Sequence, residues 1–204
     1  MDKLDMKKTM KELYSARAER VTAVDVPPGQ FLLIDGQGDP NKAAEYGEAI
    51  QALYSTAYTL KFTLKNTRGT DFAVMPLEGL WWVPDMRDFS DKAKDDWFWT
   101  MMIRMPDFVT VEDVAAARVA AAKRKTLPAL EKIRLEAYDE GLAAQVMHIG
   151  PYSEEADNIK RVHEWIAANG YERAGKHHEI YLSDPNRTAP EKLKTIIRQP
   201  MQKV

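Results

Sequence analysis

Three reactive side chains near the C-terminus share one face of an expected strand. Strand residues alternate between faces, so His177, Glu179 and Tyr181 should point one way, and His178 and Ile180 the other. An imidazole, a carboxylate and a phenol in a row are an unusual set to bury unless a ligand binds there. The alternative is the solvated face of an edge strand. The apolar side that carries Ile180 is expected to pack on a helix.

Tryptophan is concentrated in one short region. Four of the five tryptophans lie between residues 81 and 99, namely Trp81, Trp82, Trp97 and Trp99. Clustered indoles are typical of a tightly packed core, and they also suit a flat wall against a planar ligand. Adjacent strand residues face opposite ways, so we expect only one of Trp81 and Trp82 to face such a ligand.

The composition and motifs exclude several classes of function. The chain has no cysteine, which excludes thiolate chemistry and disulfides and is compatible with a cytoplasmic protein. Neither Gly-x-Ser-x-Gly nor His-Glu-x-x-His occurs, and neighbouring His177 and His178 cannot chelate one ion from opposite faces, so we expect no metal and no cofactor. The net charge of -2 without a basic block argues against nucleic acid, and no apolar stretch is long enough for a membrane span.

The hydrophobic pattern of the first half predicts a strand, a long helix and then further strands, after a charged lead-in over residues 1–25. Glu78 and Gly79 are expected to form a turn between two short strands, and Thr110 to cap an alanine-rich helix. The expected elements are strands 30–34, 72–77, 80–83 and 96–105, helices 41–63 and 110–125, and a polar loop 85–94.

The second half repeats the order strand, helix, strand, strand. Residues 134–138 and 142–149 are expected to pair as a hairpin that turns at Asp139, Glu140 and Gly141. A helix over residues 152–169 and strands over 176–182 and 193–199 follow. We therefore predict an α+β protein with antiparallel sheets.

Four sequence blocks in this second half resemble the GyrI-like family of small-molecule-binding domains. They are Val146-Met147-His148-Ile149-Gly150-Pro151-Tyr152, then Glu164-Trp165-Ile166 with Asn169-Gly170-Tyr171, then Glu179-Ile180-Tyr181-Leu182-Ser183-Asp184-Pro185, and Leu193-Lys194-Thr195. Their order and spacing match the family over residues 142–203. The tryptophan-rich first half resembles the stand-alone subgroup of that family.

The resemblance implies a single domain over residues 1–204, with modules at about 26–106 and 134–204 and a connecting helix at about 110–125. It implies two strand-helix-strand-strand modules in a pseudo-twofold arrangement, whose antiparallel sheets flank a central ligand groove. We expect a monomer or weak dimer, because the two modules of one chain already supply both halves of the groove. The stand-alone subgroup resembles cyclopropanoid cyclopropyl hydrolases, which add water to strained alkylating compounds in an aromatic cage.

The resemblance also implies roles for individual residues. Glu179 matches the family's groove carboxylate, and Tyr181 matches the aromatic residue two positions on; these two are the expected catalytic residues. Glu179 would either pair with a cationic ligand or deprotonate a water, and the second role needs a pKa tuned toward neutrality by burial. The expected ligand-binding residues are Trp81, Trp82, Trp97, Trp99, Met147, Tyr152 and His177. The leading hypothesis is therefore a detoxifying hydrolase of electrophilic aromatic compounds. The alternatives are a module that sequesters multiple aromatic or cationic drugs without chemistry, and an interaction protein of the gyrase-inhibitor type.

Overall fold

The computed structural model describes residues 3–87 and 91–204. Within these residues it contains five α-helices and nine strands, so the predicted α+β class is confirmed. The helices are α1 Met6–Thr9, α2 Lys11–Tyr14, α3 Ala44–Arg68, α4 Val111–Ala122 and α5 Ala156–Ala168. The strands are β1 Thr22–Val26, β2 Gly29–Gln37, β3 Leu77–Trp82, β4 Phe98–Met105, β5 Arg134–Tyr138, β6 Gly141–Ile149, β7 Tyr171–Arg173, β8 His177–Tyr181 and β9 Lys194–Lys203. None of the described helices combines the length and apolar character of a membrane span.

The chain forms two compact units that do not follow the chain order. The first unit holds α1, α3, α4, β2, β4 and β5, and the second holds α2, α5, β1 and β6 to β9. Strand β3 contributes Glu78–Leu80 to the second unit and its ends to the first. The order strand, helix, strand, strand is present in both halves of the sequence, with β7 as an additional short strand in the second.

In the first unit, β2 lies between β4 and β5 and pairs antiparallel with both. The long helix α3 packs on β2 and β4, and it buries Leu53, Ala57 and Leu60. It ends where Gly69 adopts a left-handed conformation with φ 66°, which glycine reaches without strain. Thr110 caps α4 through a capping box with Asp113, as the sequence predicts.

In the second unit, β9 is the central strand and pairs antiparallel with β6, β7 and β8. Strand β6 also pairs with β1. Helix α5 buries Val162 and Ile166 against Val146 and Ile197 of the sheet. Each such aliphatic side chain stabilises the fold by roughly 1.5–3 kcal/mol when it leaves water.

Four expectations about the elements are wrong. The expected strand 72–77 does not form, since Phe72 makes an isolated bridge with Leu4 and β3 begins at Leu77. Strand β3 runs unbroken through Glu78 and Gly79, because this glutamate is satisfied by buried partners and need not reach solvent. Strands β5 and β6 do not form a hairpin, since β5 pairs with β2 while β6 pairs with β1 and β9. The lead-in contains β1 and is not merely a charged segment. The predicted loop 85–94 falls partly on residues 88–90, outside the described residues.

Candidate functional site

Strand β8 brings its three reactive side chains together as the alternation predicts. His177 Nε2 lies 3.0 Å from Glu179 Oε1, and the Tyr181 hydroxyl donates to Glu179 Oε2 at 2.7 Å. The imidazole of His177 is buried, and the side chain of Glu179 is 13% exposed. The row is therefore a hydrogen-bonded cluster centred on the Glu179 carboxyl and not a solvated strand face.

The register with β9 fixes the side of the sheet on which this cluster lies. Glu179 is directly opposite Ile197, and directly paired residues of antiparallel strands share a face. Ile197 packs against α5, so Glu179 lies on the α5 side. Ile180 is buried on the other side of the sheet, away from α5.

The segment that leads into α5 completes the cluster. The ring of Tyr152 meets that of Tyr181 edge to face, with centroids 5.6 Å apart. Tyr152 is 41% exposed, so this edge of the cluster is open to solvent. Glu155, the residue before α5, is 5% exposed, and it contributes to lowering the pKa of Glu179. The sequence around Glu155 did not distinguish it from the acidic residues that commonly begin helices, so sequence analysis did not mark it as a site residue.

The electrostatics of Glu179 favour a charged carboxylate. Burial raises its pKa, but the hydrogen bond and attraction of His177, with the hydrogen bond of Tyr181 and the contribution of Glu155, lower it further than burial raises it. The net pKa lies below the ordinary glutamate value. The expectation that burial raises the pKa of Glu179 toward neutrality is not met, because the groups that donate hydrogen bonds to this carboxyl lower its pKa by more than burial raises it.

In the first unit, Tyr46 of α3 contacts two of the clustered tryptophans, Trp81 and Trp99, and Trp97 packs on Trp81. Trp81 lies 5.6 Å from Trp97 and 5.8 Å from Tyr46, and Trp99 meets Tyr46 edge to face at 5.5 Å between centroids. Trp82 instead stacks on Phe98 at 5.9 Å. We call Tyr46, Trp81, Trp97 and Trp99 the aromatic cluster. Tyr46 lies on the apolar stripe of α3, and its spacing alone did not mark it as a site residue.

Two features of the aromatic cluster bear on ligands. The Nζ of Lys94 stands 5.2 Å from the ring centroid of Trp97, so one indole already receives a cation on its face. Trp99 is 1% exposed, and its indole N–H meets no acceptor among the described residues. A buried donor without an acceptor is costly and is commonly explained by a bound partner.

Met147 is not brought beside Glu179. It pairs with Ile196, which in turn pairs with Ile180, so its side chain lies on the sheet face opposite the carboxyl. Its neighbour His148 is buried and bonds the Pro151 carbonyl and Asn158, at 3.0 and 2.9 Å. These contacts hold the bend between β6 and α5.

The opposite face of β8 holds a second polar cluster that the sequence did not predict. His178 Nδ1 lies 2.7 Å from Glu140 Oε1, and its Nε2 lies 3.0 Å from Glu78 Oε2. The Tyr14 hydroxyl donates to Glu78, and Arg198 donates to Glu140. We call these five residues the buried ion cluster. The sequence feature that could have indicated this cluster is Glu78, a single glutamate in the otherwise apolar strand β3.

Charge balance in the buried ion cluster requires a protonated histidine. Burial lowers the pKa of His178, but the two carboxylates raise it to about 9. Burial raises the pKa of Glu140, and the attraction of His178 and Arg198 lowers it below its ordinary value. Within the described ranges, no group of three or more acidic or histidine side chains is arranged to hold a metal ion.

Comparison with known proteins places the chain in a family. The model of the GyrI-like small molecule binding domain matches residues 20–201. The fold is similar to an uncharacterised conserved protein from Listeria innocua, with 39% identity, a TM-score of 0.90, and coverage of 98% of this chain and 100% of that one. A hydrolase from the same organism has 37% identity, a TM-score of 0.84 and the same coverage.

A more distant likeness extends only to the fold. The C-terminal domain of EcmrR is 14% identical, with a TM-score of 0.59, and the match covers 91% of this chain and 98% of that domain. No functionally curated protein matches the chain. From the match of the family model over nearly its whole length, the chain belongs to the GyrI-like small molecule binding domain family.

Proposed function

We propose that this protein binds planar aromatic small molecules and adds water to electrophilic members of that class. The observation that carries the proposal is the Glu179 carboxylate, mostly buried, held by His177 and Tyr181, and bordered by the partly exposed Tyr152. A fixed carboxylate in such a setting can orient a water molecule and accept its proton.

The aromatic cluster supports the choice of ligand class. Its indole faces offer stacking area, and the position of Lys94 over Trp97 indicates that these faces attract positive charge. The N–H of Trp99 would gain a partner from a ligand that carries a carbonyl oxygen.

The proposed reaction on a spirocyclopropane conjugated to a ketone is a balanced addition of water. The water oxygen bonds to the cyclopropane carbon while Glu179 takes one water proton. The strained C–C bond breaks, its electron pair moves into the conjugated ketone, and the resulting oxyanion takes up a proton. Relatives named as hydrolases, one of them 37% identical over nearly the whole chain, support this choice of reaction.

The test is product formation with matched variants. Wild-type protein should convert a spirocyclopropane ketone to a product heavier by one water, detected by mass spectrometry against a sample without protein. Glu179→Gln should bind the compound and give no product above that background, because the shape is kept and the charge is lost. Lys160→Gln, a change at an exposed position of α5 where the lysine pairs with Glu164, should retain turnover. Equal rates for Glu179→Gln and wild type would refute the assignment.

A second function, binding without chemistry, is favoured by one observation. The pKa of Glu179 is lowered and not raised, which suits a permanent counter-charge for a cation better than it suits a strong base. Under this alternative, aromatic cations bind to wild type and not to Glu179→Gln, and no compound is converted.

A further inference from the structure

The outer face of α3 carries a row of three aromatic rings. Tyr54, Tyr58 and Phe62 follow one another at every fourth residue, and neighbouring ring centroids are 6.4 and 6.5 Å apart with interplanar angles of 28° and 24°. Tyr58 is 48% exposed and Phe62 is 51% exposed. Two large aromatic side chains that are half exposed beside each other form an apolar surface of the kind that binds another protein.

The positions around these rings repeat with the period of a seam between two paired helices. Steps of three and four residues alternate along α3, which is the spacing of the a and d positions of a coiled coil. We call the six residues at these steps the α3 seam: Glu48, Gln51, Ser55, Tyr58, Phe62 and Lys65. All six are at least partly exposed, whereas Leu53, Ala57 and Leu60 on the core side of the helix are buried. Helix α3 therefore has, besides its core face, a second face with the pattern of a packing surface.

The α3 seam is complementary to itself when a second copy runs in the opposite direction. About a midpoint between residues 56 and 57, antiparallel pairing sets Glu48 opposite Lys65, Gln51 opposite Phe62, and Ser55 opposite Tyr58. The small Ser55 leaves room for the ring of Tyr58. A parallel alignment would instead place Glu48 against Glu48 and Lys65 against Lys65. Charge and size therefore favour the antiparallel pair.

We propose that two copies of this chain associate as a twofold-symmetric dimer through the α3 seam. The seam is roughly 26 Å long at the rise of a helix and about 10 Å wide. This area is smaller than the roughly 800 Å² per partner of a standard stable interface, so the dimer dissociates on dilution. Exposed ion pairs add little affinity, so the rings supply most of the attraction, and the pairs of Glu48 with Lys65 fix the direction. The proposal does not depend on the proposed activity of Glu179.

Two seam residues have partners within the chain, and both side chains remain exposed. Lys65 Nζ lies 3.1 Å from Asp71 Oδ2, and the lysine side chain is 52% exposed. Asp71 is also bonded by Lys61, so a change at Lys65 does not leave Asp71 without a cation. Gln51 accepts a hydrogen bond of 2.9 Å from Lys125 and is exposed. The charge at Lys65 can therefore be reversed without leaving a carboxylate unpaired.

The experiment is sedimentation equilibrium of the full chain over concentrations from about 10 to 500 µM. Wild type should shift from the mass of one chain toward that of two. Tyr58→Glu puts a charge at the centre of the seam and should weaken association by about tenfold or more. Val119→Glu, a matched change at a 59% exposed apolar residue of α4, should associate as wild type does. A wild type that stays monomeric throughout would leave the seam to another occupant and overturn the proposal, as would equal association of Tyr58→Glu and wild type.

Charge reversal tests the direction of pairing. Glu48→Lys faces Lys65 of a second copy with a like charge, and Lys65→Glu does the same to Glu48, so each variant should associate roughly tenfold more weakly than wild type. An equimolar mixture of the two variants restores both attractive pairs and should dimerise about as strongly as wild type, which also shows that neither variant is unfolded. Unchanged association of either single variant, or no recovery in the mixture, would overturn the antiparallel seam.

Discussion

The buried ion cluster should make the stability of this protein depend on pH in a range where most proteins change little. His178 lies between Glu78 and Glu140 with almost no solvent exposure, and the two carboxylates raise its pKa from 6.5 to about 9. By linkage, that rise corresponds to roughly 3 kcal/mol of folding free energy from the protonated form. The folded pKa is raised, so this contribution is complete below pH 6.5 and is lost as the pH rises through 9.

The assay is chemical denaturation followed by far-UV circular dichroism at a series of pH values from 6 to 9.5. The unfolding free energy of wild type should fall by roughly 3 kcal/mol from pH 6.5 to above 9. In His178→Gln the same window should be nearly flat, because the titrating group is gone. That variant should also lose roughly 3–5 kcal/mol at pH 6.5, since it leaves buried Glu78 without its cation and Glu140 with Arg198 alone.

His163→Gln is the matched control for the pH series. The pKa of His163 is lowered to about 4, so this group is neutral in the folded chain throughout the series and becomes neutral in the unfolded chain as the pH rises past its ordinary value of 6.5. Its removal should leave the decline between pH 7.5 and 9 unchanged. Equal unfolding free energies at pH 6.5 and 9 in wild type, or an undiminished decline in His178→Gln, would refute the ionised arrangement.

Three further predictions concern packing, capping and binding. Gly36→Ala should destabilise the protein by about 1–3 kcal/mol in denaturant titrations, because a Cβ there would lie 2.1 Å from the Trp99 ring. In the control Gly47→Ala the added Cβ meets nothing within 4 Å, so this change should stabilise α3 by about 0.5–1 kcal/mol. Thr110→Ala should cost about 1 kcal/mol by loss of the α4 capping box, and no change in midpoint would contradict that cap. Trp99→Phe should weaken binding of a planar ketone while largely retaining affinity for the same ring system without its carbonyl, and Trp99→Ala should weaken both. Equal affinity of all three proteins in fluorescence titrations would remove Trp99 from the ligand site.

Local patterns in the sequence predicted the features that depend on one element. The alternation along β8 correctly placed Glu179 beside His177 and Tyr181. The Thr110 cap also followed from local chemistry. In each case the deciding neighbours lie within a few residues, where strand alternation and helix capping are reliable guides.

Features that depend on distant pairing were missed. Glu78 and Glu140 were assigned to turns, although they meet His178 across 100 and 38 residues of sequence. A glutamate beside glycine has the local composition of a turn. Only the pairing of the strands shows that each of these glutamates lies next to a buried cation. The side of the sheet on which Glu179 lies was likewise set by the register of β9.

The measurement that tests the central claim most directly is turnover of a spirocyclopropane ketone in ¹⁸O-labelled water. Wild-type protein should release many product molecules per protein molecule, each with one heavy oxygen on the former cyclopropane carbon, and Glu179→Gln should release none above the rate without protein. Product that lacks the label, or a yield that stops at one molecule per protein, would contradict the addition of water at Glu179.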